Sequence, residues 1–215
     1  GGVVWSQEDQ PTPMFSATYT PGLEPGERLQ MDAMDALVAM SPTDETFQWL
    51  SPWVRQGPER LRLHAAKAMS ELPEDIWVDV DAGMRLKKVR IGTVPHTMRY
   101  DTTRIDVLPG QPVEITLINP DDMPHNLLIA KPGSLRRIGR AADAQGETGE
   151  ALLRDYVPAV SGILHASPLV LPGESATLSF IAPTRPGRYP YICTYPAHWQ
   201  MMNGVLHVQK EAPKK

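Results

Sequence analysis

From residue 86 to 209 the chain is built of short runs in which apolar and polar residues alternate, each closed by turn residues. A period of two puts successive side chains on opposite faces of a strand, and runs this short are poor helices. The expected strands are 87–91, 105–107, 113–119, 126–130, 176–181, 187–193 and 204–209. Pro109-Gly110, Pro172-Gly173 and Arg185-Pro186-Gly187 supply turns between several of them. Proline occupies 22 of 215 positions, about twice its usual share, which suits a loop-rich β protein better than a helical bundle. The exception is 134–156, where Ala, Leu, Arg and Glu predominate and a helical flap is expected between strands. Short strands at this density imply a mainly β sandwich or Greek-key barrel.

The N-terminal part differs. Residues 1–81 carry 14 acidic and 5 basic side chains, and residues 82–215 carry 11 and 16. Such asymmetry marks a change of unit near Asp79–Gly83. The expected division is an irregular lead-in over 1–26, a small helical extension over 27–81 and the β domain over 82–215. Leu29, Ala33, Ala36, Leu37 and Met40 recur at helical spacing. Ser41-Pro42-Thr43-Asp44 offers an N-cap and a first-turn proline for a second helix, and Gly57-Pro58-Glu59 does the same for a third. The third helix carries a stripe of Leu61, Ala65, Ala68, Met69 and Leu72, ending at Pro73. Short helices with a late proline resemble one unit of a HEAT-like repeat, which cannot bury both faces alone.

Composition excludes several classes. A net charge of −4 gives no argument for nucleic acid, and no apolar run reaches the roughly 18 residues a membrane span needs. Gly1-Gly2-Val3-Val4 lacks the basic end and apolar stretch of a signal peptide. A single cysteine, Cys193, forbids an intrachain disulfide.

The neighbours of that cysteine decide its role. Cys193-Thr-Tyr-Pro-Ala-His198-Trp-Gln-Met201-Met202 lies between two expected strands and offers thiolate, imidazole and thioether within one loop. Met123-Pro124-His125-Asn126 offers a second imidazole. Soft donors together with imidazole favour copper over hard cations. Two His and one Cys around the ion, with a long axial Met, describe a blue-copper electron-transfer site. A lone cysteine is by default a buried structural residue, but this one stands beside a correctly spaced His and Met. A nucleophilic Cys–His pair lacks an evident oxyanion hole.

These motifs resemble the azurin and auracyanin branch of the cupredoxins. Four residues separate Cys193 from His198 and three separate His198 from Met202, the spacing of the azurin ligand loop. Thr-Tyr-Pro-Ala stands where azurins usually carry Thr-Phe-Pro-Gly, and Pro124 where a glycine is typical. Residues 98–105 resemble the second strand region, and Asp155-Tyr156, Leu164-His165-Ala166 and Pro172-Gly173-Glu174 the flap and its exit. The resemblance implies a cupredoxin sandwich binding one type 1 copper ion, with His125, Cys193 and His198 equatorial and Met202 axial. Met201 is the competitor and is expected to pack inward. By the resemblance, the Pro124 carbonyl takes the place of the glycine carbonyl that approaches copper from the opposite axial side in azurins, with a proline there shifting the backbone preference. Asn126 is expected to tie the two ligand loops together near Thr194.

By the same resemblance the electron leaves through the exposed edge of His198, ringed by Met123, Pro124, Pro196, Ala197 and Trp199. The partner would be a redox protein, a cytochrome or a copper or haem oxidoreductase, and the compartment periplasmic or otherwise extracytoplasmic. His64, His96 and His207 read as surface or packing residues, and His165, which falls where azurins have a surface histidine outside the metal site, reads as non-ligating. Met14, Met31, Met34 and Met40 read as packing rather than a thioether-rich surface. No open coordination position is implied, so the chain reads as an electron carrier and not an enzyme. Copper carriage or storage is the competing reading. A third is the copper domain of a larger oxidoreductase with helical repeats.

Overall fold

The structure is a computed structural model that describes residues 25–77 and 80–210. The expected lead-in lies outside the described residues except for Pro25 and Gly26, which open the first helix. Met14 and Asp79 lie outside them as well.

Among the described residues, nine strands form two sheets. They are β1 (Lys87–Val94), β2 (Arg99–Tyr100), β3 (Arg104–Val107), β4 (Pro112–Ile118), β5 (Leu128–Ala130), β6 (Ile163–Ala166), β7 (Ser175–Ile181), β8 (Gly187–Ile192) and β9 (Asn203–Val208). One sheet has the order β2-β1-β4-β7 and the other β3-β9-β8-β5-β6. β1 runs parallel to β4, and β3 parallel to β9. Parallel neighbours cannot be joined by a hairpin, so the chain must cross over between them.

Alternation does the folding work. Val113, Ile115 and Leu117 of β4 are buried while Glu114, Thr116 and Ile118 between them are not. Phe180 of β7, Tyr191 of β8 and Leu206 of β9 bring both sheets into one core. Burying a side chain of this size stabilises by roughly 1.5–3 kcal/mol. β2 and β6 fall in regions that only the family resemblance marks, because a two-residue strand and a uniformly half-buried one carry no alternation. β5 begins at Leu128, leaving Asn126 in the preceding loop.

Three helices precede the sandwich: α1 (Pro25–Met40), α2 (Asp44–Arg55) and α3 (Glu59–Met69). They share a core of their own that includes Met34, Leu50, Val54, Ala65, Met69 and Trp77. The expected α3 stripe is buried throughout. The α1 stripe is corrected. Leu29 and Met40 are 70% and 85% exposed, and Met34 is fully buried with Val38 packed beside it. Met34 and Val38, four positions apart, lie on the α1 face that packs into the helical core, whereas Ala33 and Ala36 lie on its exposed side. Thr43, not Ser41, is the α2 N-cap; the carbonyl of Ser41 instead accepts the Thr46 hydroxyl and the Thr43 N–H.

The helices attach at one end of the first sheet. The Glu59 carboxylate accepts the Ile181 N–H at 3.1 Å, Arg62 donates to the Gly110 carbonyl at 3.3 Å, and the Gln111 amide donates to Ala82 and Arg85 carbonyls at 3.2 and 3.1 Å. Gly110, Gln111 and Ile181 mark the start of β4 and its partner in β7. The loop bearing His125 leaves the other end of β4, about 20 Å away at strand rise.

The flap appears as α4 (Leu135–Gln145) and α5 (Gly149–Leu152) between β5 and β6. Ile138 of α4 packs with Leu128, Ala130 and Ile192 on the outer face of the second sheet. Ile129, Tyr191 and Cys193, alternate with these, point into the sandwich.

Candidate metal centre

The first loop runs from Asn119 to Asn126 and is tied internally. The Asn119 amide donates to the Met123 and Val170 carbonyls at 2.7 and 2.9 Å. Its oxygen accepts the Thr93 hydroxyl at 2.8 Å and the Asp121 N–H at 3.1 Å. His125 exchanges both backbone hydrogen bonds with Val170, at 3.0 and 2.7 Å. Its Nε2 lies 3.1 Å from Asp121 Oδ2. The second loop closes on itself: Cys193 N–H donates to the Met202 carbonyl at 3.0 Å, and Met202 N–H to the His198 carbonyl at 2.8 Å.

The two loops are stapled where expected. Asn126 Oδ1 accepts the Thr194 N–H at 2.7 Å, while its amide donates to Thr194 Oγ1 at 3.0 Å and to the Asp155 carbonyl at 2.7 Å. Tyr100 donates to the Asn126 carbonyl at 2.6 Å.

Three donors converge inside this frame. Cys193 Sγ lies 3.9 Å from His125 Nδ1 and 3.8 Å from His198 Nδ1. The imidazole rings stand 5.1 Å apart, tilted by 40°. His125, Cys193 and Met202 are 0% exposed and His198 is 1%. These separations suit one ion at first-row metal–nitrogen and metal–sulfur lengths of roughly 2.0–2.3 Å, and the donor set is soft to borderline. Burial keeps the imidazoles neutral: His198 is pushed down to about 4, helped by repulsion from His125, and His125 is also lowered. Burial raises the Cys193 thiol to about 11, so a metal must displace its proton and affinity must rise with pH. Burial also acts to raise Asp121, but N–H groups of His96 and Asp122 outweigh it and bring it down to about 2.

The flap covers the second loop. Asp143 of α4 accepts the Ala197 N–H at 2.9 Å and the Trp199 Nε1–H at 2.8 Å. Gly139, one turn earlier, leaves room for the Trp199 ring; a Cβ there would lie 2.1 Å from Trp199 Cδ2. Glu147 accepts the Tyr195 hydroxyl at 3.0 Å, and the Tyr195 ring packs on both His198 and Tyr156.

Three expectations are corrected. His198 has no exposed edge, because Tyr195 and the flap-bound loop close over it. Met201 is 50% exposed and does not pack inward; Met202, one residue on, points into the core from the same turn. His165 is half-buried and stacked on Phe180 at 4.8 Å rather than a surface residue. His64 pairs with Asp35 and His207 with Asp106, and the His96 N–H donates to Asp121. Met123, Pro124, Pro196 and Trp199 are partly exposed and Ala197 exposed. Sequence reasoning does not single out Asp121, Gly139, Asp143 or Glu147. Asp121 sits four residues before His125, a spacing that a search for carboxylate partners of ligating histidines would find. The flap residues carry no local signal.

Comparison with known proteins agrees with this geometry. The family model described as copper binding proteins, plastocyanin/azurin family, matches residues 87–209. Auracyanin-A of Chloroflexus aurantiacus is 34% identical over 122 residues, covering 56% of this chain and 73% of that protein. Azurin iso-2 of a Methylomonas species is 25% identical over 127 residues, covering 55% of this chain and 95% of that protein. The solved structure of auracyanin A, a "blue" copper protein from Chloroflexus aurantiacus, superposes with a TM-score of 0.52 at 32% identity, covering 58% of this chain and 99% of that one. Dithionite-reduced auracyanin from Roseiflexus castenholzii gives 0.51 at 31%, covering 57% and 97%. With a copper-suited donor cluster inside a two-sheet sandwich, the chain belongs to the plastocyanin/azurin family of copper-binding proteins, the cupredoxins.

Proposed function

We propose that this chain carries single electrons between protein partners through one type 1 copper ion held by His125, Cys193, His198 and Met202. The observation that carries the reading is the buried cluster of one thiol and two Nδ1 atoms, fixed by the Asn126–Thr194 staple. Copper, when bound, supplies a Cu(I)/Cu(II) couple. The protein's part is to hold two neutral imidazoles and a thiolate nearly still, so that little rearranges as charge changes, and to exclude water.

The partner would dock where the loop surfaces, over Met123, Pro124, Pro196, Ala197 and Trp199. Because His198 is covered, the electron would cross the Tyr195–Trp199 layer rather than a bare imidazole edge. α4 exposes Arg136, Arg137 and Arg140 beside Gly139, so an acidic redox protein such as a cytochrome or oxidoreductase would fit. The compartment would be extracytoplasmic, as the family resemblance implies. Residues 27–81 would form a helical unit appended to the copper domain over 82–215, with Met84 and Leu86 of the connecting segment completing its core.

The test is spectroscopy and voltammetry of the copper-loaded chain. Intense blue absorption with reversible one-electron cycling is expected. A colourless protein holding only Cu(I), or several ions, would indicate carriage or storage and overturn the reading.

A further inference from the structure

We infer that Asp121 is a positioning residue that decides which nitrogen of His125 is free for the metal and, through it, biases the metal's redox couple. The inference rests on the ligand assignment above. Asp121 is 3% exposed and His125 fully buried. Asp121 Oδ1 accepts the His96 N–H at 3.1 Å and the Asp122 N–H at 2.8 Å, which leaves Oδ2 facing His125 Nε2 at 3.1 Å. An ionised carboxylate only accepts, so Nε2 carries the hydrogen. Nδ1, the atom facing Cys193, therefore keeps its lone pair. A carboxylate on the far side of a ligating imidazole also raises its donor strength. That favours the more highly charged Cu(II) over Cu(I). Asn119 holds Asp121 in place by accepting its N–H, so the carboxylate is preset before any metal arrives.

The arrangement predicts what an isosteric change does. In Asp121→Asn the two backbone N–H groups retain the side-chain oxygen, which turns the amide NH2 toward Nε2. Two donors cannot face each other, so the ring hydrogen moves to Nδ1 and blocks the metal-facing atom.

The ring tautomer is read by 15N NMR of the full metal-free chain at neutral pH, in native and Asp121→Asn forms. Affinities for Cu(II) and Cu(I) are read by competition with chelators. The native chain should show the Nε2–H form and the variant the Nδ1–H form. Cu(II) affinity should fall 10–100-fold in the variant, and Cu(I) affinity about tenfold less. A tenfold difference between the two states raises the potential by about 59 mV. An Nδ1–H tautomer in the native chain overturns the inference, and this measurement needs no variant to fold. An unchanged tautomer with an unchanged Cu(II)-to-Cu(I) affinity ratio in Asp121→Asn also overturns it. A native chain with the Nε2–H form that binds no copper refutes the ligand assignment and leaves the tautomer assignment standing.

Discussion

The two loops that meet at the candidate copper site are held by different means. The 119–126 loop is braced from within the sandwich, by the Asn119 amide, the Asp121 carboxylate and the His125–Val170 bridge, nearly all of it buried. The 193–202 loop is braced from outside, by Asp143, Gly139 and Glu147 of an inserted flap. A buried network is costly to break because each orphaned group is left without water. A bracket at the surface is weaker, since water can replace its bonds. The His125 side is thus held within the sandwich itself, while the His198 side also relies on an inserted segment that is seated on the second sheet through Ile138.

The largest expected effect falls on the atom both loops share. Cys193→Ser should abolish the blue chromophore entirely while the metal-free chain melts within a few degrees of the native one. A variant that stays blue would remove the basis of the site. Next comes pH. The His198 imidazole, held near 4 by burial and by repulsion from His125, titrates near 6.5 when unfolded. The unfolded chain therefore takes up the proton first, and the metal-free fold loses stability as pH falls from about 6.5 toward 4, by roughly 3 kcal/mol. Urea unfolding at pH 7.5, 5.5 and 4.5 reads this, and a flat profile would show that His198 is not enclosed.

Two smaller effects separate the loops. Gly139→Ala places a Cβ against the Trp199 ring and should cost about 1–3 kcal/mol in urea unfolding. Amide shifts should be confined to 195–202. Asp143→Ala removes two hydrogen bonds at the surface and should cost about 1 kcal/mol, with faster hydrogen exchange at the Ala197 amide. Comparable shifts over 119–126 in either variant would dissolve the distinction between an inner and an outer brace.

Much of the fold and of the site is legible in the order of residues. Alternation locates seven of the strands, because period two survives wherever one face is buried. The flap shows as a change in composition. Cys193, His198 and Met202 are legible because a ligand loop is local: its spacing is written in one short stretch. What escapes depends on distant neighbours. Leu29 and Met40 have the right spacing for a buried stripe, but α3 packs against the adjacent face. Spacing picks Met202 over Met201, but that Met201 lies at the surface rather than packing inward shows only once the turn that carries it is oriented. The flap's Gly139 and Asp143 read as ordinary helix residues, since their partners lie more than fifty positions away.

The linear chain thus settles the strand pattern, the metal chemistry and the four candidate ligands, because periodicity and donor softness are properties of the residues themselves. Packing settles the enclosure of His198, the exposure of Met201 and the reach of Asp121 to His125. Burial and hydrogen-bond direction are relations between segments, and they take a value once those segments are in contact.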